Sequence, residues 1–249
     1  MMADLERILT GKGIPFHRDG NRLRCFPHVV NISVQHGLSS LTDLDPFEPT
    51  ATADESTNDI PTPDQTIVNA RQLISVCRVS GQRREEFKNT IIEGNKAGSF
   101  GEGVELPKAQ LLRDVDTRWS STFLMIDRLL ELYPAVQNFM KKPDYEELAH
   151  HLLSEKELDV LADVRGFLLI PHRVQELLSA EQTPTASMTL PAYEELLELL
   201  KLARSKYSKI AHGIEASISV LEQYLRYTRQ TRVYALAMGM STLYFQSYC

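Results

Sequence analysis

The residues best suited to chemistry lie at positions 114–122, in the run DVDTRWSST. This run places Arg118 directly before Trp119, the only tryptophan among 249 residues. An arginine fork matches the oxygens of a phosphate group. An indole offers a face on which an unpaired base can stack, a contact worth about 1–3 kcal/mol. The pair would suit distorted DNA, whereas periodicity alone explains Trp119 as the first core residue of a helix.

A second set of reactive side chains comprises Cys25 and His28, with His17 and His36 on either side. All four are accepted zinc ligands, but structural zinc sites usually pair two short ligand motifs, and here a single Cys-x-x-His lies between lone histidines. We therefore expect no bound metal, and zinc held by His17, Cys25, His28 and His36 is the less favoured interpretation. The simplest alternative is a buried cysteine beside a hydrogen-bonded histidine with no further role.

Residues 24–31, RCFPHVVN, together with residues 114–122, make the chain resemble the hAT superfamily of cut-and-paste DNA transposases, of the fungal type with a BED finger. The resemblance spans roughly residues 1–238. It implies a ribonuclease H-like core interrupted by a large helical insertion, a nuclear location and DNA as a partner. It further implies that His28 lies near the scissile phosphate and that Trp119 stacks on a flipped base. The candidate DNA-binding residues are therefore His28, Arg118 and Trp119.

The same resemblance argues against enzymatic activity. Transposases of this type cut DNA with two Mg²⁺ ions held by three carboxylates. By comparison with the family, the first two carboxylates would precede a helix that resembles residues 1–9, and the third would follow residues 233–238. We therefore expect an internal slice of a transposase that lacks the catalytic carboxylates and binds no cofactor. Asp114 and Asp116, with Asp19 as a third group, are a weak substitute, because their spacing resembles that of ordinary surface acids.

The overall charge limits the partners of the chain. A formal net charge of −6 excludes a basic surface over the whole molecule, so any DNA contact must be local and weak. The apolar runs are far shorter than the roughly 20 residues of a bilayer span, so no membrane is expected. Three scattered cysteines fit a reducing compartment, which is the nucleus by resemblance and otherwise the cytoplasm. No small-molecule substrate is expected.

The predicted fold is mixed α/β and predominantly α-helical, an incomplete ribonuclease H-like core with a large all-α insertion domain. Residues 1–42 are predicted as the core remnant, with a helix, a strand at 23–26 and a second helix. Residues 43–64 are an acidic, proline-rich disordered linker. Residues 65–109 are a helical connector, whose six basic and three acidic residues at 65–100 form a solvated face or, less favoured, a phosphate-facing strip. Residues 110–249 are the helical insertion domain.

Three patterns predict helices within this last segment. Apolar residues at steps of four and three from Trp119 to Tyr133 predict one amphipathic helix that Pro134 kinks or ends. A capping box at 154–157 starts another helix, which Pro171 is expected to interrupt. Helices over 190–203 and 207–227 are expected to form an antiparallel pair.

Two functions of different classes fit these observations. The first is a transposon-derived protein that is catalytically inactive and keeps weak DNA binding. The second is a helical protein–protein interaction module whose acidic helix, with Glu194, Glu195 and Glu198, binds partners or forms a homo-oligomer. A third option is a non-functional gene fragment that does not fold independently.

Overall fold

The computed structural model describes residues 2–18, 21–42, 61–115, 118–179, 186–234 and 236–239. In these ranges the chain is predominantly helical and contains no β-strand. The α-helices are α1 Met2–Gly11, α2 Phe26–Thr42, α3 Pro63–Cys77, α4 Gly81–Ala97, α5 Trp119–Met140, α6 Glu155–Leu178, α7 Thr189–Lys206 and α8 Ala211–Arg229, with 3₁₀ helices at Pro143–His151 and Ser208–Ile210. Among the helices described, none combines the length and apolarity that crossing a bilayer would require.

The strand predicted at residues 23–26 is wrong. Residues 22–25 belong to no regular element, and Phe26 already begins α2. The carbonyl oxygens of Arg22 and Arg24 accept hydrogen bonds from the side chains of Thr231 at 3.3 Å and Tyr234 at 2.9 Å. Side chains thus satisfy this backbone in place of a neighbouring strand. The mixed α/β fold and the ribonuclease H-like core remnant are not confirmed by the described residues.

The chain divides into two compact units. Unit 1 combines Met1–Ser40 with Leu169–Cys249, and unit 2 is Leu41–Leu168. The division lies within α6, whereas the sequence predicts a domain boundary at residue 110. The difference arises because α5 packs against α3 and α4, so its apolar face is buried within unit 2.

Unit 2 has α5 at its centre. The predicted stripe is buried at Trp119, Phe123, Ile126 and Tyr133, whereas Leu130 is only half-buried. The neighbouring Leu129 is fully buried, as one expects when the apolar face is wider than a single stripe. Helix α5 runs through Pro134, so no new element begins there.

The helix that begins with the capping box is α6. The backbone N–H of Ser154 donates to Glu157 Oε2 at 2.8 Å, and the Glu157 N–H donates to Ser154 Oγ at 3.3 Å, which confirms the predicted start. The interruption predicted at Pro171 is wrong, because α6 continues to Leu178. Pro171 itself is buried, and so are Leu168 and Val174 on either side of it. Burial of this face offsets the cost of about 3 kcal/mol of an internal proline.

The end of the predicted linker is helical. Thr62 Oγ1 accepts a hydrogen bond from the Gln65 N–H at 3.4 Å, and Pro63 occupies the first turn of α3. This is a favourable helix start, since threonine caps the free N–H groups and proline has no N–H to satisfy. Residues 43–60, which carry the rest of the linker prediction, lie outside the described residues.

Unit 1 contains the antiparallel pair α7 and α8, as predicted. Ion pairs join Arg204 to Glu215, Lys201 to Glu222 and Glu194 to Arg229, so residue numbers fall on one helix as they rise on the other. Helix α2 packs on this pair. Its Ser33 hydroxyl lies 2.9 Å from the carbonyl oxygen of Ser217, and the Phe26 ring meets that of Tyr193 edge-on at 4.7 Å.

Gly94 of α4 should resist replacement by a larger residue. An added Cβ would lie 2.2 and 2.4 Å from two carbons of the Phe100 ring, well inside contact distance. We expect Gly94→Ala to lower the free energy of unfolding by about 1–3 kcal/mol, as overpacking does, in urea denaturation. Gly81→Ala in the same helix is the control, since its nearest neighbour would be a flexible arginine tip at 3.9 Å. Equal stability of the two variants would contradict this close packing.

Candidate nucleic-acid interface

Asp114, the first residue of the motif at 114–122, is held by two other side chains of unit 2. Arg71 of α3 donates to Asp114 Oδ2 from Nη2 at 2.7 Å and from Nε at 3.0 Å, and Thr122 of α5 donates to it at 3.1 Å. Only 8% of the Asp114 side chain is exposed. A carboxylate so far removed from water needs such partners. Asp114 therefore links α3 to α5. The other two acids of the substitute metal site, Asp19 and Asp116, lie outside the described residues.

Ser121 and Arg118 shape the start of α5. The Ser121 hydroxyl accepts a hydrogen bond from the Val115 N–H at 2.9 Å and lies 2.6 Å from the Arg118 carbonyl oxygen. Arg118 occupies the N-cap position with extended dihedral angles, φ −131° and ψ 102°, and its side chain is exposed. At the start of α5 the side chain that hydrogen-bonds to the backbone is therefore that of Ser121 and not that of Arg118, and Arg118 is exposed.

Trp119 is buried, with 2% of its surface exposed. Stacking on a flipped base would require a partly exposed indole, and this requirement is not met. The reason is the position of Trp119 as the first residue of the apolar face of α5, which packs against α3 and α4. A ring must be accessible to stack on a base, so in the described structure Trp119 acts as a core residue.

His28 lies on α2 in unit 1 and is exposed. The other three candidate zinc ligands, His17, Cys25 and His36, are exposed as well, so the alternative of a buried Cys25 is wrong. In the part of the chain that the structure describes, no three His, Cys, Asp or Glu side chains form a group that could hold a metal ion. His28 therefore stays a candidate contact residue only.

Three arginines of unit 2, Arg78, Arg84 and Arg113, form what we call the arginine cluster. Partial burial lowers the pKa of Arg78, and the charges of Arg113 and Arg84 lower it further. Gln110 donates to the Arg84 carbonyl oxygen at 2.9 Å, which holds the segment before Arg113 against the start of α4.

The arginine cluster forms no ion pair within the part of the chain that the structure describes. None of its three members forms an ion pair with another described residue, and Arg78 Nε is buried without a hydrogen-bond partner among them. Positive charges that act on one another in this way favour an anion beside them. Sequence reasoning missed the cluster because Arg113 lies outside the basic stretch at 65–100, and its place beside Arg78 follows only from the fold.

Residues 23–167, more than half of the chain, match the family model described as the ZBED1 RNase-like helical domain. The chain belongs to this family. The family derives from hAT/ZBED transposases, which confirms the resemblance at that level, over a shorter stretch than residues 1–238. The match to the ZBED1 RNase-like helical domain ends at residue 167, next to the division between the two units. Searches of curated proteins and of solved structures returned no match.

Because Trp119 is the only tryptophan, its fluorescence tests its burial directly. We expect a blue-shifted emission that iodide quenches poorly and that no DNA changes. Trp119→Ala should lower the free energy of unfolding by about 3–5 kcal/mol, as large aromatic deletions in cores do, whereas Trp119→Phe should cost much less. Quenching by DNA with an unpaired base, but not by perfect duplex, would contradict the core assignment.

The link between Arg71 and Asp114 can be measured with a double-mutant cycle. Replacing each residue by alanine, alone and together, should give a coupling energy of about 1–3 kcal/mol in urea denaturation, because charged hydrogen bonds with one buried partner are strong. The exposed pair Asp127 and Arg165 in the same unit is the matched control. Its coupling should stay below about 1 kcal/mol. A larger coupling in the control pair would refute the special role of Asp114.

Proposed function

We propose that the protein is a transposase-derived DNA-binding protein that does not cut DNA. The observation that carries this proposal is the arginine cluster, which lies in the family-matched unit and forms no ion pair with a described residue. Arginine forks bind phosphate oxygens bidentately. The cluster would thus hold the DNA backbone without reading its sequence.

The binding should be local and salt-dependent. The net charge of −6 repels DNA elsewhere, so a few phosphate contacts must supply the affinity. Arg118 and His28 are exposed in their respective units and are further candidate contacts. From the sequence at residues 24–31 and 114–122, we further propose that the ancestral transposase was of the fungal type with a BED finger. A nuclear location would follow from the same origin.

The absence of cutting is proposed from the state of Asp114. The parent transposases hold two Mg²⁺ ions with carboxylates that must be free to coordinate them. In this chain the Asp114 carboxylate is already engaged by Arg71 and Thr122. Releasing it for a metal would break its hydrogen bonds with Arg71 and Thr122, which stabilise a carboxylate that is only 8% exposed.

The interaction-module function is less well supported. Of its three acidic residues on α7, Glu194 pairs with Arg229 at 2.8 Å and Glu198 with Lys201 at 3.1 Å. Two of the three charges are therefore balanced within unit 1. A protein partner attracted by this acidic face would have to compete with these contacts.

DNA binding can be tested by fluorescence anisotropy with a labelled duplex over a range of salt concentrations. Log affinity should fall linearly with log salt, and Arg84→Gln with Arg113→Gln should reduce that slope by about 2, since each phosphate contact contributes about 0.9. With Mg²⁺ or Mn²⁺ added, the strands of a nicked duplex should keep their lengths on a denaturing gel.

The control variants are Arg128→Gln and Arg165→Gln, which remove equal charge from the same unit at arginines paired with Glu131 and Asp127. They should leave the salt slope nearly unchanged. Equal losses in both sets of variants would show a general charge effect and contradict the assigned cluster. Salt-insensitive self-association without a DNA signal would favour the interaction module instead.

A further inference from the structure

Unit 1 contains a cleft of about 420 Å³ that the proposed function does not use. Its lining is basic and aromatic, and it comprises Arg18, Arg22, Arg24, Gln223, Tyr224 and Tyr227. We call it the arginine–tyrosine cleft. Its volume lies in the range of small-ligand sites, and none of the described residues that line it is acidic.

The two central arginines are fixed in place by their backbone. The carbonyl oxygens of Arg22 and Arg24 accept hydrogen bonds from Thr231 at 3.3 Å and Tyr234 at 2.9 Å. These contacts anchor the segment at 22–25 to the end of α8 and the residues after it. The backbone at Arg22 and Arg24 is therefore held where both side chains line the same cleft as Tyr224 and Tyr227.

The charges of the cleft are only partly compensated. Arg22 is exposed and forms no ion pair with another described residue, whereas Arg18 lies 3.8 Å from a carboxylate oxygen of Glu6. The Arg24 guanidinium lies 4.7 Å above the ring of Tyr227, and its Nη1 is buried without a hydrogen-bond partner among the described residues. A guanidinium shielded from water and not paired with a carboxylate gains more from an incoming anion.

The aromatic side chains determine which anion fits best. The rings of Tyr224 and Tyr227 meet edge-on, with centroids 6.3 Å apart and an angle of 85°. Tyr227 is 36% exposed, and Gln223 donates to its hydroxyl at 3.4 Å. Two rings at right angles beside three guanidinium groups provide both a surface for a base and donors for a phosphate.

We propose that the arginine–tyrosine cleft binds a nucleotide, with its phosphate on Arg22 and Arg24 and its base against the exposed ring of Tyr227. The site extends the proposed function to unit 1 and does not use the arginine cluster of unit 2. An acidic peptide is the weaker candidate, because carboxylates would use the arginines but gain little from the tyrosine rings. A free nucleotide and a nucleotide within a single strand share this chemistry.

The experiment is a fluorescence anisotropy titration of the full chain with labelled oligothymidylate. Arg22→Gln and Tyr227→Leu should each weaken binding by about tenfold, as loss of a phosphate fork or of one stacked base does. Tyr227→Phe keeps the ring and should bind like the unchanged protein. Arg7→Gln on α1 and Tyr207→Leu at the end of α7 are the matched controls outside the cleft and should have little effect.

Three probes decide the chemistry of the ligand. An abasic oligonucleotide of equal charge should bind about tenfold more weakly, since stacking is lost. Thymidine monophosphate that competes as well as the oligonucleotide identifies a free nucleotide, and competition by the oligonucleotide alone identifies a single strand. Equal binding of the abasic strand, or equal competition by a glutamate-rich peptide, overturns the proposal.

A combined variant separates this site from the arginine cluster. In an Arg84→Gln and Arg113→Gln background, Arg22→Gln should weaken oligothymidylate binding by the same factor as in the unchanged protein, because independent sites are additive. If Arg22→Gln has no effect in either background, the cleft is refuted while the cluster stands. If Arg84→Gln with Arg113→Gln leaves duplex binding unchanged while Arg22→Gln still weakens oligothymidylate binding, the cluster is refuted and the cleft stands.

Discussion

The buried carboxylate of Asp114 is the constraint on which unit 2 depends. An isolated charge in that position would cost more free energy than a small domain has to spare. Arg71 and Thr122 satisfy it, and in doing so they bind the non-helical segment before α5 to α3 and to the first turn of α5. Trp119, in the same first turn of α5 as Thr122, is buried with 2% of its surface exposed. The same constraint means that the Asp114 carboxylate already has a cationic partner, Arg71.

Local patterns predicted the helices well. The capping box at Ser154 and Glu157, the stripe from Trp119 and the pair α7 and α8 depend on neighbours within a few residues, which the sequence displays directly. The break at Pro171 was wrong because burial on both sides of the proline outweighed its local cost. The strand at 23–26 was wrong because its partners, Thr231 and Tyr234, are about 210 residues away and donate through side chains.

The candidate sites were harder to predict for the same reason. The resemblance predicted that Trp119 stacks on a base beside Arg118, whereas periodicity alone predicted a core residue. The structure agrees with periodicity, since Arg118 is exposed and Trp119 is buried. No pattern in the sequence predicts that Arg22 lies near Tyr227, or that Arg78 lies near Arg113. Functional groups brought together by tertiary packing become visible only when the fold is known.

The distribution of charge connects these observations. A net charge of −6 suggests an acidic surface, yet several acids are used in ion pairs that hold helices together, such as Glu194 with Arg229 and Asp114 with Arg71. The arginines outside such pairs therefore indicate better than the net charge where an anion could bind. The residues that carry the family resemblance at 114–122 maintain the helical scaffold, as Asp114, Ser121 and Trp119 illustrate. Because packing accounts for those residues, any function that this branch of the family retains should depend on the arginines that packing leaves exposed.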